Sequence, residues 1–180
     1  MKKITLLVAT FLLTIGVFAQ STTKQEYESL KKNIEKNTED LKDERKMSKA
    51  NRAARIWKER GDLFYDAYLV NTKALYVGLP KEGFTGAETL VGKPNEKNPG
   101  KKIGEETYEE WVYDRVILYF KDGKLAKWKE TKPIDEAALD KAKKAYNKAL
   151  ELDEKDKYKK DIQEKLENIS QFYFNEGVEA

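Results

Sequence analysis

Apolar residues recur every three or four positions in four stretches of the chain, which predicts amphipathic helices. The clearest is Asp135–Asp153, where Lys, Asp and Glu fill the opposite face. A second covers Ala53–Tyr68, and a third runs from Lys157 to the end of the chain. Lys24–Lys49 has only a narrow apolar stripe, too short for a coiled coil. We expect a solvated helix there, ending in a charged linker over Leu41–Lys49.

Residues 76–131 show a different pattern, which predicts a β-hairpin. Glu109–Phe120 is rich in Trp, Val, Tyr, Ile and Phe, a composition typical of a strand. Asp122-Gly123 follows, a turn pair that accepts positive φ at both positions, and Lys124–Glu130 returns as the second strand. Before the hairpin, the Gly-x-Pro motifs at 78–80 and 92–94 each predict a turn, and the residues between them can form a short helix. The polar stretch Asn95–Gly104 is predicted to be a loop.

The register of this hairpin follows if Asp122 and Gly123 form the whole loop. Lys121 then pairs with Lys124, and Ile117 lies opposite Trp128. One face would carry Ile117 and four aromatic residues: Trp111, Tyr113, Tyr119 and Trp128. Two interpretations of that face remain: a surface that binds a partner peptide or a sugar, or a core face packed on the Ala53–Tyr68 helix. Both can hold in part, because a two-stranded ribbon must bury one face to be stable.

Residues of the two strongest predicted helices resemble the tetratricopeptide repeat. The matching positions are Trp57, Gly61 and Phe64 for the repeat's first helix, Ala142, Tyr146, Ala149, Leu152 and Asp153 for its second, and Gly177 for the start of a further one. Arg60 stands where the repeat has Leu. The resemblance implies one split repeat in which Gly61 faces Ala142 across antiparallel helices. It also implies a protein that binds other proteins.

The stretch between the two repeat-like helices resembles a second family, the SmpA/OmlA-type (BamE-like) module of outer-membrane assembly. The likeness covers residues 76–128 and rests on the order of short motifs. These are Gly78-x-Pro80-Lys-Glu82, Leu90-x-Gly92-x-Pro94, the aromatic strand, and Tyr119-Phe-x-Asp-Gly-Lys-Leu125. The alternative is an ordinary ribbon of two or three strands folded on the helices.

These patterns predict a mainly α protein with antiparallel tetratricopeptide-type helices and an inserted β-hairpin, a small α+β insert. Residues 1–19 would be a signal peptide and residues 20–50 a charged helix and linker. Residues 51–180 would form the repeat-like helical domain, interrupted by the hairpin-containing insert 76–131.

Residues 1–19 have the pattern of a secretory signal peptide. Lys2 and Lys3 precede an apolar run from Ile4 to Phe18, and the small residue Ala19 ends it. The run is shorter than the ~20 residues that a membrane span needs. We therefore expect an exported protein, periplasmic or secreted, without a membrane span after cleavage.

The amino-acid composition of the chain excludes several classes of function. The chain has no His and no Cys, which excludes Cys nucleophiles, His general bases and zinc sites with His or Cys ligands. No phosphate-binding loop or dinucleotide fingerprint occurs, so we expect no cofactor and no metal. Loss of Lys2 and Lys3 would leave a net charge of about +1, which does not favour a nucleic-acid partner. The sequence therefore predicts a protein that is not an enzyme.

One catalytic alternative remains, a carboxylate pair of the kind that hydrolyses glycosides. Its candidates are the densest acidic group in the chain, beside Trp111: Glu105, Glu106, Glu109 and Glu110. A solvated face is the simpler interpretation of these residues. Two function classes follow: a non-catalytic exported scaffold or adaptor that binds protein or peptide, and a carbohydrate-binding or hydrolytic accessory protein.

The last predicted helix should pack along the Asp135–Asp153 helix, on the side of Ala149. Phe172, Phe174 and Val178 would then leave an apolar strip exposed. Such a strip is a binding site or an aggregation risk. We expect a second copy of the chain or a different protein to cover it.

Overall fold

The chain divides into two compact units, each with its own core. The computed structural model describes the backbone of residues 24–179 and the side chains of residues 24–174, so the signal-peptide prediction lies outside the described residues. The sheet unit comprises residues 24–27 and Leu69–Pro133, and the helical unit comprises Glu28–Tyr68 and residues 134–179. The predicted mainly α class is wrong, because the described chain contains a four-stranded antiparallel sheet as well as helices. The fold class is α+β.

The helices are α1 (residues 24–42), α2 (Glu44–Met47), α3 (Ala50–Leu69), α4 (Ala87–Val91), α5 (Ala138–Leu152) and α6 (Lys159–Glu179). The predictions for α3, α5 and α6 are confirmed to within three residues at each end. The predicted linker Leu41–Lys49 instead contains α2. Its start is capped by the Asp43 carboxylate, which accepts hydrogen bonds from the backbone N–H groups of Arg45 and Lys46. No helix among residues 24–179 has the length and apolar character needed to cross a membrane.

The helical unit is held by the apolar stripes of α3, α5 and α6. The residues buried in these stripes include Ile56, Phe64, Leu139, Ala142, Tyr146, Ala149, Ile162 and Ile169. Helix α6 packs along α5, as predicted. Its first turn is tied to the end of α5 by the buried Asp153, whose carboxylate accepts a hydrogen bond from the backbone N–H of Tyr158 at 2.6 Å.

The sheet contains β1 (Glu96–Ile103), β2 (Glu106–Val112), β3 (Val116–Lys121) and β4 (Lys124–Glu130), in the order β1-β2-β3-β4. All neighbouring strands are antiparallel. The residues predicted as a loop, Asn95–Gly104, thus contain β1, and the predicted single strand Glu109–Phe120 spans parts of two strands. The predicted return strand Lys124–Glu130 is confirmed.

The predicted strand Glu109–Phe120 is broken by a tight turn at Asp114 and Arg115. The backbone N–H of Tyr113 donates to the Val116 carbonyl at 2.9 Å, which closes this turn. Odd-numbered residues of β2 therefore share a face with even-numbered residues of β3. Trp111, for example, pairs with Leu118 and shares a face with it, whereas the predicted face combined Trp111 with Ile117.

The turn between β3 and β4 is confirmed, with φ of 52° at Asp122 and 75° at Gly123 and with Lys121 paired to Lys124. A register shift between Tyr119 and Phe120 then places Leu118, not Ile117, opposite Trp128. Ile117 and Tyr119 point to the other side of the sheet. The predicted aromatic face is therefore wrong for β3, because a bulge adds one residue to β4.

The core of the sheet unit lies on the face that carries Trp111. Its buried members are Leu79, Ala87, Trp111, Tyr113, Val116, Leu118, Phe120 and Leu125, with Leu75, Val91 and Trp128 packed against them. Leu79 and Ala87 come from the segment before β1. The sheet unit therefore buries one sheet face under its own chain.

Both outer strands of the sheet have irregular edges. Residues 78–81 cover the start of the outer edge of β4, since Gly78 N–H donates to the Leu125 carbonyl at 2.7 Å and Lys81 N–H to the carbonyl of Gly123, just before the strand, at 3.0 Å. The other outer strand, β1, changes register between Asn98 and Lys101, at Pro99-Gly100. These two features interrupt the regular hydrogen-bonding pattern of an edge.

Candidate functional site

Trp111 and Tyr113, two of the predicted partner-binding aromatics, are core residues. Trp111 is fully buried, and its ring centroid lies 4.8 Å from that of Phe120. Its indole N–H donates to Glu109 at 2.7 Å, and the Lys97 ammonium lies 3.9 Å from the ring centroid. Tyr113 is also buried. The Trp111 ring therefore offers no surface to a partner, and Tyr113, at 5% exposure, offers almost none.

Tyr119 and Trp128, the other two predicted aromatics, lie on opposite faces of the sheet. Trp128 is half-buried against the core. Tyr119 meets Tyr108 edge to face at 6.1 Å, and the Lys127 ammonium lies 4.5 Å from the Tyr108 ring centroid. Burial, with a smaller effect of Glu110, raises the pKa of the Tyr119 hydroxyl. The predicted group of four aromatics is therefore not one surface.

The acidic group beside Trp111 is divided by the pleat of β2. Glu109 and Glu110 are neighbours in the strand, so their side chains point to opposite faces. Glu106 and Glu110 share a face, but the four-residue step along the strand places their Cα atoms about 13 Å apart. Glycosidase carboxyl pairs lie about 5–9.5 Å apart. The strand geometry thus separates Glu109 from Glu110 and Glu106 from Glu110.

Ion pairs keep two of these carboxylates in the charged form. Hydrogen bonds from Lys81, at 2.9 Å, and from Trp111 lower the pKa of Glu109. Hydrogen bonds from Lys121 and Tyr108 lower the pKa of Glu106. A general acid in glycoside hydrolysis needs a raised pKa. Glu105 is exposed in the turn between β1 and β2.

The predicted repeat positions lie in the helical unit, where Tyr146 is the central side chain. Ala142 and Ala149 are fully buried, and Phe64 is buried beneath the Arg60 guanidinium, 4.9 Å from its ring centroid. Trp57 is half-buried. The atoms closest to a side chain built at Gly61 belong to the Tyr146 ring, not to Ala142, the predicted neighbour. The surroundings of Gly177 and the side chain of Val178 lie outside the described residues.

The predicted C-terminal strip of Phe172, Phe174 and Val178 is not one exposed surface. Phe172 packs on α3, with its ring centroid 5.2 Å from that of Tyr68 and 6.2 Å from that of Tyr65. Phe174 is 71% exposed. Only Phe174 therefore presents an apolar surface among the described residues of the strip.

Sequence reasoning missed the main exposed apolar side chains, which lie in the 76–90 segment. Tyr76, Val77, Phe84 and Leu90 are all exposed, Phe84 by 76%. Phe84 lies between Gly83 and Gly86 in a loop of bends and turns. Glycine has no side chain, so an apolar residue between glycines in a short loop has few neighbouring side chains to pack against. The exposure of Phe84 could therefore have been predicted from the sequence.

The backbone of the 76–90 segment is held in place by hydrogen bonds. Ala87 N–H donates to the Pro80 carbonyl at 2.8 Å, and the Thr89 hydroxyl donates to the Gly83 carbonyl at 2.8 Å. A Cβ at Gly86 would lie 2.5 Å from the Glu82 carbonyl group, so the two ends of the loop nearly touch. The exposed Phe84 ring is thus carried by a tightly closed loop.

Comparison with protein-family models, with curated proteins and with solved structures found no match for this chain.

Proposed function

We propose that the protein is a non-catalytic, exported scaffold or adaptor that binds another protein through the apolar side chains of the 76–90 segment. The observation that carries the proposal is the exposure of Tyr76, Val77 and Phe84 on a backbone fixed by hydrogen bonds. Aromatic side chains are enriched in protein interfaces and often contribute most of the binding energy.

The closed loop around Phe84 favours binding for an entropic reason. A flexible loop loses conformational freedom when it binds, which costs free energy. The loop from Glu82 to Gly86 has already lost much of that freedom in the folded chain, since hydrogen bonds fix both of its ends. Burial of an exposed aromatic ring then contributes more of its hydrophobic free energy to affinity.

Two further observations support this function class. The acidic residues of β2 are separated by strand geometry and held charged by Lys81 and Lys121, which favours a structural role for them over catalysis. The repeat-like residues of α5 resemble those of a family that binds proteins. Phe174 on α6 is a second candidate contact.

The test is capture of partners from periplasmic extract and culture fluid, with the chain lacking residues 1–19 as bait. We expect Phe84→Ser to abolish capture of at least one protein and Tyr76→Ser to weaken it. Both side chains are exposed, so both variants should keep the stability of the parent chain within about 0.5 kcal/mol.

Phe174→Ser is the matched control, because it removes an exposed aromatic ring from the other unit. Capture that survives Phe84→Ser and is lost in Phe174→Ser would move the site to α6. Capture unaffected by either substitution would contradict the proposal. Sedimentation at micromolar concentration identifies a second copy of the chain as the partner, if the molecular mass falls on Phe84→Ser.

A further inference from the structure

A small pocket opens in the sheet unit beside the turn between β2 and β3. Its volume is about 70 Å³. Its walls are mostly aliphatic, with contributions from Val70, Leu75, Leu90, Val91 and Val116. Asn71, Asp114 and Arg115 supply its main polar groups. An apolar wall with a few convergent polar groups is the usual construction of a ligand site.

Arg115 is the unusual member of this lining, because its side chain is only 13% exposed and has few partners. Its Nε donates to the Asn71 side-chain oxygen at 2.9 Å, and its guanidinium lies 5.0 Å from the Tyr27 ring centroid. In the part of the chain that the structure describes, its Nη groups make one ion-pair contact, with Asp114 at 3.7 Å. That distance is too long for a hydrogen bond.

A guanidinium carries five N–H donors, and largely buried charges are normally paired and hydrogen-bonded. Asp114 does not fill this role, because it is 59% exposed and accepts a hydrogen bond from Lys132 at 2.6 Å. Lys73, the other cation of the lining, is held by Glu26 at 2.6 Å. Arg115 is therefore the cation in this pocket whose donors are open to an incoming anion.

We propose that this pocket binds an aliphatic carboxylate, with the carboxylate on the Nη groups of Arg115 and the aliphatic chain against Val70, Leu75 and Val91. Arg and carboxylate match in geometry, since two parallel N–H groups meet two oxygens. A fully enclosed apolar cavity of about 150 Å³ holds benzene, so the smaller space here takes a short or branched chain. The carboxylate can belong to a free short-chain acid or to the C-terminus of a peptide that ends in Val or Leu.

This proposal does not depend on the proposed protein-binding function. The pocket shares only Leu90 with the exposed apolar residues of the 76–90 segment. Its ligand is recognised by charge and shape at Arg115, whereas the protein partner is recognised by the Phe84 ring. Either proposal can therefore fail while the other stands.

The experiment is a titration of the ¹⁵N-labelled chain lacking residues 1–19, followed by amide chemical shifts. The probes are sodium isovalerate and its neutral analogue isovaleramide. We expect saturable shifts at residues 70–75 and 113–116 with isovalerate, and at least about tenfold weaker binding of isovaleramide. Equal binding of both probes, or no saturable shift with isovalerate, would overturn the proposal.

A second arm separates the two sources of the carboxylate. A tripeptide that ends in Val with a free carboxylate is compared with the same peptide amidated at its C-terminus. Tighter binding of the free-acid peptide than of isovalerate assigns the pocket to a peptide C-terminus. Binding of isovalerate alone assigns it to a small free acid, because the peptide backbone then meets a steric barrier.

Two variants test the roles of Arg115 and of the aliphatic wall. Arg115→Met should abolish isovalerate binding, and Arg55→Met, an exposed arginine of α3, should leave it unchanged. Ala74 lines the pocket but is itself exposed, so Ala74→Leu should narrow the pocket while Arg115 itself is retained. Ala74→Leu should also weaken binding, which keeps the test decisive if Arg115→Met does not fold. Unchanged binding in Ala74→Leu would place the ligand elsewhere.

Discussion

The ring of Tyr146 occupies the space that a side chain at position 61 would need. An ideal Cβ on Gly61 would lie 2.4 Å from Cδ1 and 2.5 Å from Cε1 of Tyr146. Helices normally approach to about 8–10 Å, and the absence of a side chain at Gly61 lets an aromatic ring from α5 lie directly on the backbone of α3.

Gly61→Ala should therefore destabilise the protein, although alanine is the better helix former by about 1 kcal/mol. The overpacked Cβ costs about 1–3 kcal/mol, so the clash outweighs the gain in helix propensity. Urea unfolding measures the net change. In the Gly61→Ala, Tyr146→Leu double variant the cost at position 61 should disappear, since the ring is gone. Equal effects of Gly61→Ala in both backgrounds would show that the contact is not responsible.

Tyr113 and Tyr146 are both buried, but they differ in whether the hydroxyl group is hydrogen-bonded. The Tyr113 hydroxyl is buried and has no hydrogen-bond partner in the described chain, whereas the Tyr146 hydroxyl donates to Asp62 at 2.9 Å. Burial raises the pKa of both hydroxyls, so both stay protonated. Tyr113→Phe should leave stability unchanged or raise it by about 1 kcal/mol, and Tyr146→Phe should lower it by a similar amount. Thermal unfolding of both variants checks the difference in sign.

Arg60, which stands where the repeat has Leu, has a structural role of its own. Its guanidinium donates to Asn37 at 3.3 Å and to Thr38 at 3.2 Å, and Asn37 is buried with its amide bound to the Ile56 carbonyl. Arg60→Leu should destabilise by about 1–2 kcal/mol, because Asn37 then loses a donor while remaining buried.

The control for this prediction is Arg55→Leu, an exposed position on the same helix, which should change stability by less than about 0.5 kcal/mol. Leucine and arginine have similar helix propensities, so propensity does not account for a difference. If Arg60→Leu is as stable as the parent chain, the bonds to Asn37 and Thr38 do not stabilise the fold.

Asp161 should make stability depend on pH in acid. Lys58 lies 2.7 Å from Asp62 and from Asp161, and its hydrogen bond lowers the pKa of Asp161 below the usual 3.8. A carboxyl whose pKa is lower in the folded state contributes stability above its unfolded pKa, and this is lost as the pH falls through the folded value. Asp161→Asn should therefore cost about 0.3–1 kcal/mol near neutral pH, because the pair is half-exposed.

The difference between the Asp161→Asn variant and the parent chain should shrink below about pH 4, where the unfolded carboxyl protonates. Unfolding by urea at several pH values measures it. Glu164→Gln, an exposed acidic residue on α6, is the control and should show no such trend. A difference that stays constant down to the acid limit would rule out the ion pair as its source.

The helices could be predicted because their apolar periodicity is a local property of the sequence. The residues Leu139, Ala142, Tyr146 and Ala149 recur at steps of three and four, and all are buried. The turn at Asp122-Gly123 could be predicted for the same kind of reason, since two adjacent positive φ angles favour few residue types.

Strand β1 could not be predicted, because its polar sequence gains a strand conformation only by pairing with β2. Its residues are mostly exposed, and Pro99-Gly100 disfavours a strand locally. The faces of β3 depend on a turn at Asp114-Arg115 and a bulge in β4, and neither is marked by glycine. Trp111 is buried because of this topology. Composition alone therefore could not tell whether an aromatic residue belongs to the core or to a binding surface.

The two irregular sheet edges have a consequence for behaviour in concentrated solution. An open, regular edge can recruit a strand from another chain and start fibril growth. Residues 78–81 already occupy the backbone N–H and carbonyl of Leu125 at the start of β4, and Pro99, which has no N–H to donate, interrupts β1 between exposed lysines. Pairing with a strand of another chain is therefore disfavoured at the start of β4 and in the middle of β1, even though the chain has no cysteine with which to stabilise its fold by a disulfide.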